Sequence, residues 1–168
     1  MCSSDLVICG NRVRVWDLSG GKRTKLLAGH TGQVWAAVCT EIDGRLQCVT
    51  ASDDGTVRVW DLADEVGQSA TSGPIGGIRS LACTEIGGRP HVLIAYTFGV
   101  LRMRNLMDGT VLDGVEYRIP SERYDTALTV ACAVADGRPY AVTCGSMSAH
   151  VWDLTDGSEC AIFGLSPG

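Results

Sequence analysis

The hexapeptide VRVWDL stands at Val13–Leu18 and again at Val57–Leu62, 44 residues further on. A degenerate third copy, VLRMRNL, occupies Val100–Leu106, and a fourth, AHVWDL, occupies Ala149–Leu154. Trp60 and Arg104, which hold equivalent places, are again 44 residues apart, and Trp152 follows Arg104 by 48. A second block keeps step with the first: VWAAVCTEIDGR at 34–45, IRSLACTEIGGR at 78–89 and LTVACAVADGR at 128–138. Two unlike blocks with one period mark a repeat architecture, in which each unit buries its apolar face against its neighbours.

Each unit reads as short strands. VWAAVCT, LQCVTAS and TVRVWDL are apolar or β-branched runs bounded by turn residues. Asp43-Gly44, Gly87-Gly88 and Asp136-Gly137 suit two-residue hairpins, whose central residues both need positive φ. Asp53-Asp54-Gly55 marks a second turn. The strands are mostly apolar and not strictly alternating, so both faces of each small sheet are expected to be covered. No segment carries a capped 3.6-residue period, so almost no helix is expected.

Composition narrows the class. The chain has 168 residues, 45% of them apolar and 20% charged, enough for one domain with a core. A net charge of −5 argues against a general nucleic-acid binder. No run approaches the ~20 apolar residues of a membrane span. Met1–Gly10 carries Asp5 and no basic residue, unlike a signal peptide, so the expected location is cytoplasmic with no membrane contact. Eight cysteines occur without any C-x-x-C spacing, and most lie in apolar strands, where they read as reduced core thiols, not as zinc ligands or a disulfide framework.

Gly29-His30 followed at a distance by Trp60-Asp61 resembles the G-H…W-D signature of a WD40 repeat. The repeats are similar to those of bacterial multidomain WD40 proteins. The resemblance implies an all-β, WD40-type β-propeller over residues 1–168, with about four blades in an incomplete or open ring. The blades fall at 5–29 (partial, lacking strand a), 33–73, 77–120 and 125–164. It further implies a buried tetrad in the second blade: His30, Thr50 or Ser52, Asp54 and Trp60. The third blade has Pro74, Phe98 and Arg104 at the His, Asp and Trp places, and the fourth has Arg123 and Ser146 at the first two. Those blades, and the first, are expected to rely on apolar packing.

The sites follow from the same frame. The resemblance places partner contacts at the starts of the blades and before the turn Asp: Gln33, Trp35 and Asp53, then Arg79 and Thr97, then Thr126 and Leu128. An exposed aromatic and an arginine are typical interface anchors. His30 reads as a structural loop histidine, neither a base nor a metal ligand. His91 and His150 read as lone strand residues. Asp53-Asp54-Gly55 lacks the ligand pattern of a calcium loop, and Gly20-Gly21-Lys22 lacks the earlier glycine of a phosphate loop. Arg14, Arg58, Arg102 and His150 share one place of the repeat and read as a basic row that is solvated or packed between blades. No metal, cofactor or catalytic residue is assigned.

The expected function is a non-enzymatic protein-protein interaction scaffold or sensor module. It would belong to a larger propeller or signalling protein, bind a protein or peptide, and self-associate through open propeller edges. The alternatives are an enzyme with its active site over the propeller channel, and a decayed fragment.

Overall fold

The structure is a computed structural model and describes residues 4–17, 22–63, 67–71, 77–107, 111–118, 129–145 and 148–164. Among the described residues, fifteen strands form four antiparallel sheets. The first has three strands: β1 (Ser4–Cys9), β2 (Arg12–Asp17) and β3 (Lys22–Ala28). The second has four: β4 (Val34–Ile42), β5 (Arg45–Ser52), β6 (Thr56–Asp61) and β7 (Gly67–Thr71). The third joins β8 (Ile78–Ile86), β9 (Arg89–Tyr96), β10 (Val100–Asn105) and β11 (Val111–Arg118). The fourth joins β12 (Thr129–Ala135), β13 (Arg138–Cys144), β14 (Ser148–Asp153) and β15 (Glu159–Gly164). Strands pair with their chain neighbours throughout, so every sheet is a meander. The one helical element among the described residues is a 3₁₀ turn at Thr97–Gly99.

The local reasons are those of the sequence. Asp43, Gly44, Gly87, Gly88, Asp136 and Gly137 all take positive φ, the type I′ geometry that matches strand twist. The link between the two repeated blocks is also visible. Arg45 at the end of the first hairpin turn donates to Asp61 at 2.7 Å, and Arg138 donates to Asp153 at 3.4 Å. The same aspartates turn their second oxygen onto the next backbone turn, accepting from Ala63 N at 2.7 Å and Thr155 N at 2.8 Å. In the third sheet Asn105 holds that place and accepts from Met107 N at 2.8 Å. An amide oxygen serves this turn as well as a carboxylate does, which is how the degenerate repeat keeps it.

The chain divides into two compact units, Met1–Ile78 and Arg79–Gly168. In the first, Val13, Val15 and Leu27 pack with Val34, Cys48 and Trp60. Val34 N also donates to Gly10 O at 2.9 Å, seating the start of β4 on the β1–β2 turn. In the second unit, Leu93, Ala95, Leu101 and Met103 pack with Val130, Ala141, Trp152 and Leu154. The expectation that both faces of every sheet are covered fails in the fourth: Val134, Ile162 and Phe163 are exposed. No helix among the described residues is long and apolar enough to cross a membrane.

Candidate functional site

Two sites can be built from the described residues: a buried polar network in the second sheet and the exposed start of β4 beside it. The network begins at Asp54, in the turn after β5. Its two oxygens accept from Thr31 N and from Thr56 N, both at 2.9 Å, and from Thr56 Oγ1 at 2.6 Å. A carboxylate so supplied with donors stays charged, so Asp54 is also the acceptor for His30 Nδ1 at 2.9 Å. The tautomer follows from this. With the proton on Nδ1, His30 Nε2 accepts from Thr50 Oγ1 at 2.7 Å. The Thr50 oxygen in turn accepts the Trp60 indole N–H at 2.8 Å. Trp60, which can only donate, and Asp54, which can only accept, end the series, and every group between them has both roles filled.

Burial and charge act on this series in opposite senses. Burial is the largest influence on His30 and pushes its pKa below the ordinary histidine value, against the pull of Asp54. Burial raises Asp54, but the hydrogen bonds from Thr56, Thr31 and His30 together outweigh it and hold the carboxyl well below the usual range. Ser52, the other hydroxyl the sequence offered, has a separate task and accepts from Asp54 N at 3.2 Å. Arg58, of the repeated basic row, lies 6.0 Å above the Trp60 ring.

The other sheets show what this network depends on. Thr50 lies opposite Arg58 in the register. The matching pairs are Val7 with Arg14, Ile94 with Arg102, and Thr143 with His150. Only Thr143 carries a hydroxyl, and Trp152 Nε1 donates to it at 3.1 Å. The fourth sheet therefore keeps half of the network, where apolar packing alone was expected. In the first sheet the position holds valine, and the buried Trp16 Nε1 has no hydrogen-bond partner.

Two histidines read as lone residues are not. His91 Nδ1 meets Arg89 O at 2.8 Å. His150 Nε2 meets Ser148 Oγ at 2.8 Å, and its Nδ1 meets a Glu159 oxygen. Ser148 lies two residues away on the same strand and so on the same face. Glu159 pairs with Trp152 on the far side of a register shift between Val151 and Trp152, a bulge that the sequence does not announce.

The exposed site is contiguous. Asp53 N donates to Gln33 O at 2.9 Å, so the turn carrying Asp53 lies against the entry to β4. Gln33, Trp35 and Asp53 are all exposed, Trp35 by 46% although it is a large apolar side chain. Arg79 is exposed at the start of β8, and Thr97 is half-buried in the 3₁₀ turn after β9. Thr126 and Leu128 lie outside the described residues, as do Pro74, Arg123 and Ser146, and so does the side chain of Phe98.

The family model "WD domain, G-beta repeat" matches residues 21–61, the span that runs from β3 through His30, Thr50 and Asp54 to Trp60-Asp61. Residues 21–61 are a WD40 repeat. The crystal structure of the WD40 β-propeller domain of Doa1 is similar to the whole chain, with a TM-score of 0.71 at 19% identity. The match covers 95% of this chain and 50% of that one, so the chain spans half the length of that propeller structure. No curated protein matches the chain. The four sheets therefore have the fold of a WD40 β-propeller, and WD40 propellers generally serve as protein-interaction scaffolds and are typically non-enzymatic.

Proposed function

We propose that this chain is a non-enzymatic protein-interaction module whose contact surface centres on Gln33, Trp35 and Asp53. The observation that carries the reading is Trp35, an indole held 46% exposed beside a buried and fully hydrogen-bonded network. A rigid aromatic with a polar rim is the usual form of an interface anchor, and it loses little conformational entropy on binding. On the family frame Arg79 and Thr97 are proposed as contact residues of their own repeat, and a peptide or protein is the proposed occupant. Self-association through Val134, Ile162 and Phe163, the apolar side chains exposed on the fourth sheet, belongs to the same proposal.

The series Ser148–His150–Glu159 has the order hydroxyl, imidazole, carboxylate on which an activated nucleophile is built. We read it as structural. The same order runs through Thr50, His30 and Asp54, where it serves to satisfy buried groups.

The test is a peptide-library selection on the wild-type protein followed by affinity measurement on variants. Trp35→Ala is expected to weaken binding about 30-fold, a hot-spot loss of about 2 kcal/mol. Its urea unfolding midpoint is expected to stay unchanged, since an exposed ring contributes little to the core. Selected peptides that bind Trp35→Ala as well as wild type would refute the site.

A further inference from the structure

Cys39, Cys83 and Cys132 hold one place of the repeat, but their opposite numbers differ. Cys39 lies directly across from Cys48 in the β4–β5 register, whereas Cys132 lies across from Ala141. The kind of site follows by counting from the turn. Asp43 and Gly44 form a two-residue hairpin loop, so Ile42 and Arg45 are the hydrogen-bonded pair that closes it. The register runs unshifted from that pair to Ala36 and Ala51. Bonded and non-bonded pairs alternate along an antiparallel ladder. Glu41–Leu46 is therefore non-bonded, Thr40–Gln47 bonded, and Cys39–Cys48 non-bonded.

That parity matters because non-bonded partners approach more closely, with Cα atoms about 4.5 Å apart, inside the range of about 4.4–6.8 Å that a disulfide spans. Directly opposed residues also project to the same face. Consistent with this, both cysteines join one apolar cluster with Val13, Val15 and Trp60. Both are thiols, Cys48 buried and Cys39 partly exposed.

We propose that Cys39 and Cys48 are a peroxide-oxidisable dithiol that closes into a disulfide across β4 and β5. Cys39, the more accessible, attacks hydrogen peroxide as its thiolate. An S–O bond forms and the O–O bond breaks; the departing hydroxide takes the thiol's proton and leaves as water. The Cys48 sulfur then attacks the Cys39 sulfenic acid. The S–S bond forms, the S–O bond breaks, and the hydroxyl leaves with the Cys48 proton as a second water. Two thiols lose two electrons, and one peroxide is reduced to two waters. Cys39 is partly exposed, so ordinary dithiols reach and reduce the bridge.

The sequence supplies a clean assay. Arg45 lies between the two cysteines, so trypsin places Cys39 on peptide 26–45 and Cys48 on peptide 46–58. Wild-type protein is treated with one equivalent of hydrogen peroxide, denatured in N-ethylmaleimide, digested and mapped by mass spectrometry. The expected result is a linked 26–45/46–58 species and the loss of two maleimide-reactive thiols, both reversed by dithiothreitol on the native protein. Cys132, whose thiol is pushed up to about 11 by burial, is expected to remain maleimide-labelled. In Cys48→Ser the sulfenic acid on Cys39 has no resolving thiol and is expected to be trapped by dimedone. Conversion of Cys39 to sulfinic acid while Cys48 stays a thiol would overturn the proposal. So would a link from Cys39 to any other cysteine. Both results are read on the wild-type protein, so neither depends on how a variant folds.

Discussion

Thr50→Val tests the buried network with almost no change of shape. Thr50 is fully buried, and its oxygen both accepts from Trp60 Nε1 at 2.8 Å and donates to His30 Nε2 at 2.7 Å. Valine fills the same volume with a methyl group and removes both bonds. Each of the two orphaned buried groups costs roughly 1–3 kcal/mol, and the added methyl returns roughly 1, so the expected loss is about 1–5 kcal/mol. Thr50→Ser keeps the hydroxyl and loses a buried methyl, at about 1 kcal/mol. Thr143→Val in the fourth sheet removes one indole bond, at 3.1 Å, and is expected to cost about half as much as Thr50→Val. Urea unfolding followed by far-UV circular dichroism measures all three. The reasoning fails if Thr50→Val unfolds within 1 kcal/mol of wild type, or if the serine variant is as damaged as the valine variant, since either result would mean that the hydrogen bonds contribute nothing beyond packing.

Two further outcomes follow from the same neighbourhood. His30 has a folded pKa below its ordinary 6.5, so the unfolded chain takes up the proton first and stability falls as pH drops through that value; Asp54, also depressed, adds a second fall below about 3.8. Urea midpoints between pH 8 and 3 are expected to show both declines, the upper one absent in His30→Gln; a midpoint constant from pH 7 to 4 would contradict this. Gly32→Ala places a Cβ 2.6 Å from Asp54 N, which is backbone, whereas Gly29→Ala places one 2.7 Å from the tip of the Arg58 side chain. The first is expected to cost about 1–3 kcal/mol and the second less, because the guanidinium can swing aside and the Trp60 ring, 3.1 Å from the new Cβ, has only a few tenths of an ångström to give, whereas a turn cannot move; equal thermal shifts for the two would refute the distinction.

The fold was legible because its determinants are local. VRVWDL, the Asp-Gly and Gly-Gly turns and their common period each act within one hairpin, and positive φ at Asp43 and Gly44 is a property of that dipeptide. The choice between Thr50 and Ser52 was not legible. The two are separated by one residue, so strand alternation puts both on one face. The register, which sets Thr50 across from Arg58 and within reach of Trp60, decides between them. Glu159 was hidden for a related reason. Its reach to His150 depends on a bulge at Val151/Trp152, and a single inserted step in pairing leaves no compositional trace. The exposed apolar residues of the fourth sheet were hidden differently: Val134 and Ile162 are the residue types of covered strands, and exposure depends on what lies opposite them.

Two apolar clusters among the described residues share no residue. One draws on the first two sheets and the other on the last two, and each lies within its own compact unit. Substitutions in contact couple energetically, so Val13 and Trp60 constrain one another within the first cluster, and Met103 and Trp152 within the second. The third repeat differs from the second. It has exchanged Trp for Arg104 and a turn aspartate for Asn105, while the second repeat, in the other unit, retains its complete series from Asp54 to Trp60. In the second repeat each member of that series is held by its neighbours, so a single exchange there leaves a buried group unpaired, whereas the Asn105 turn bond survives a change of charge.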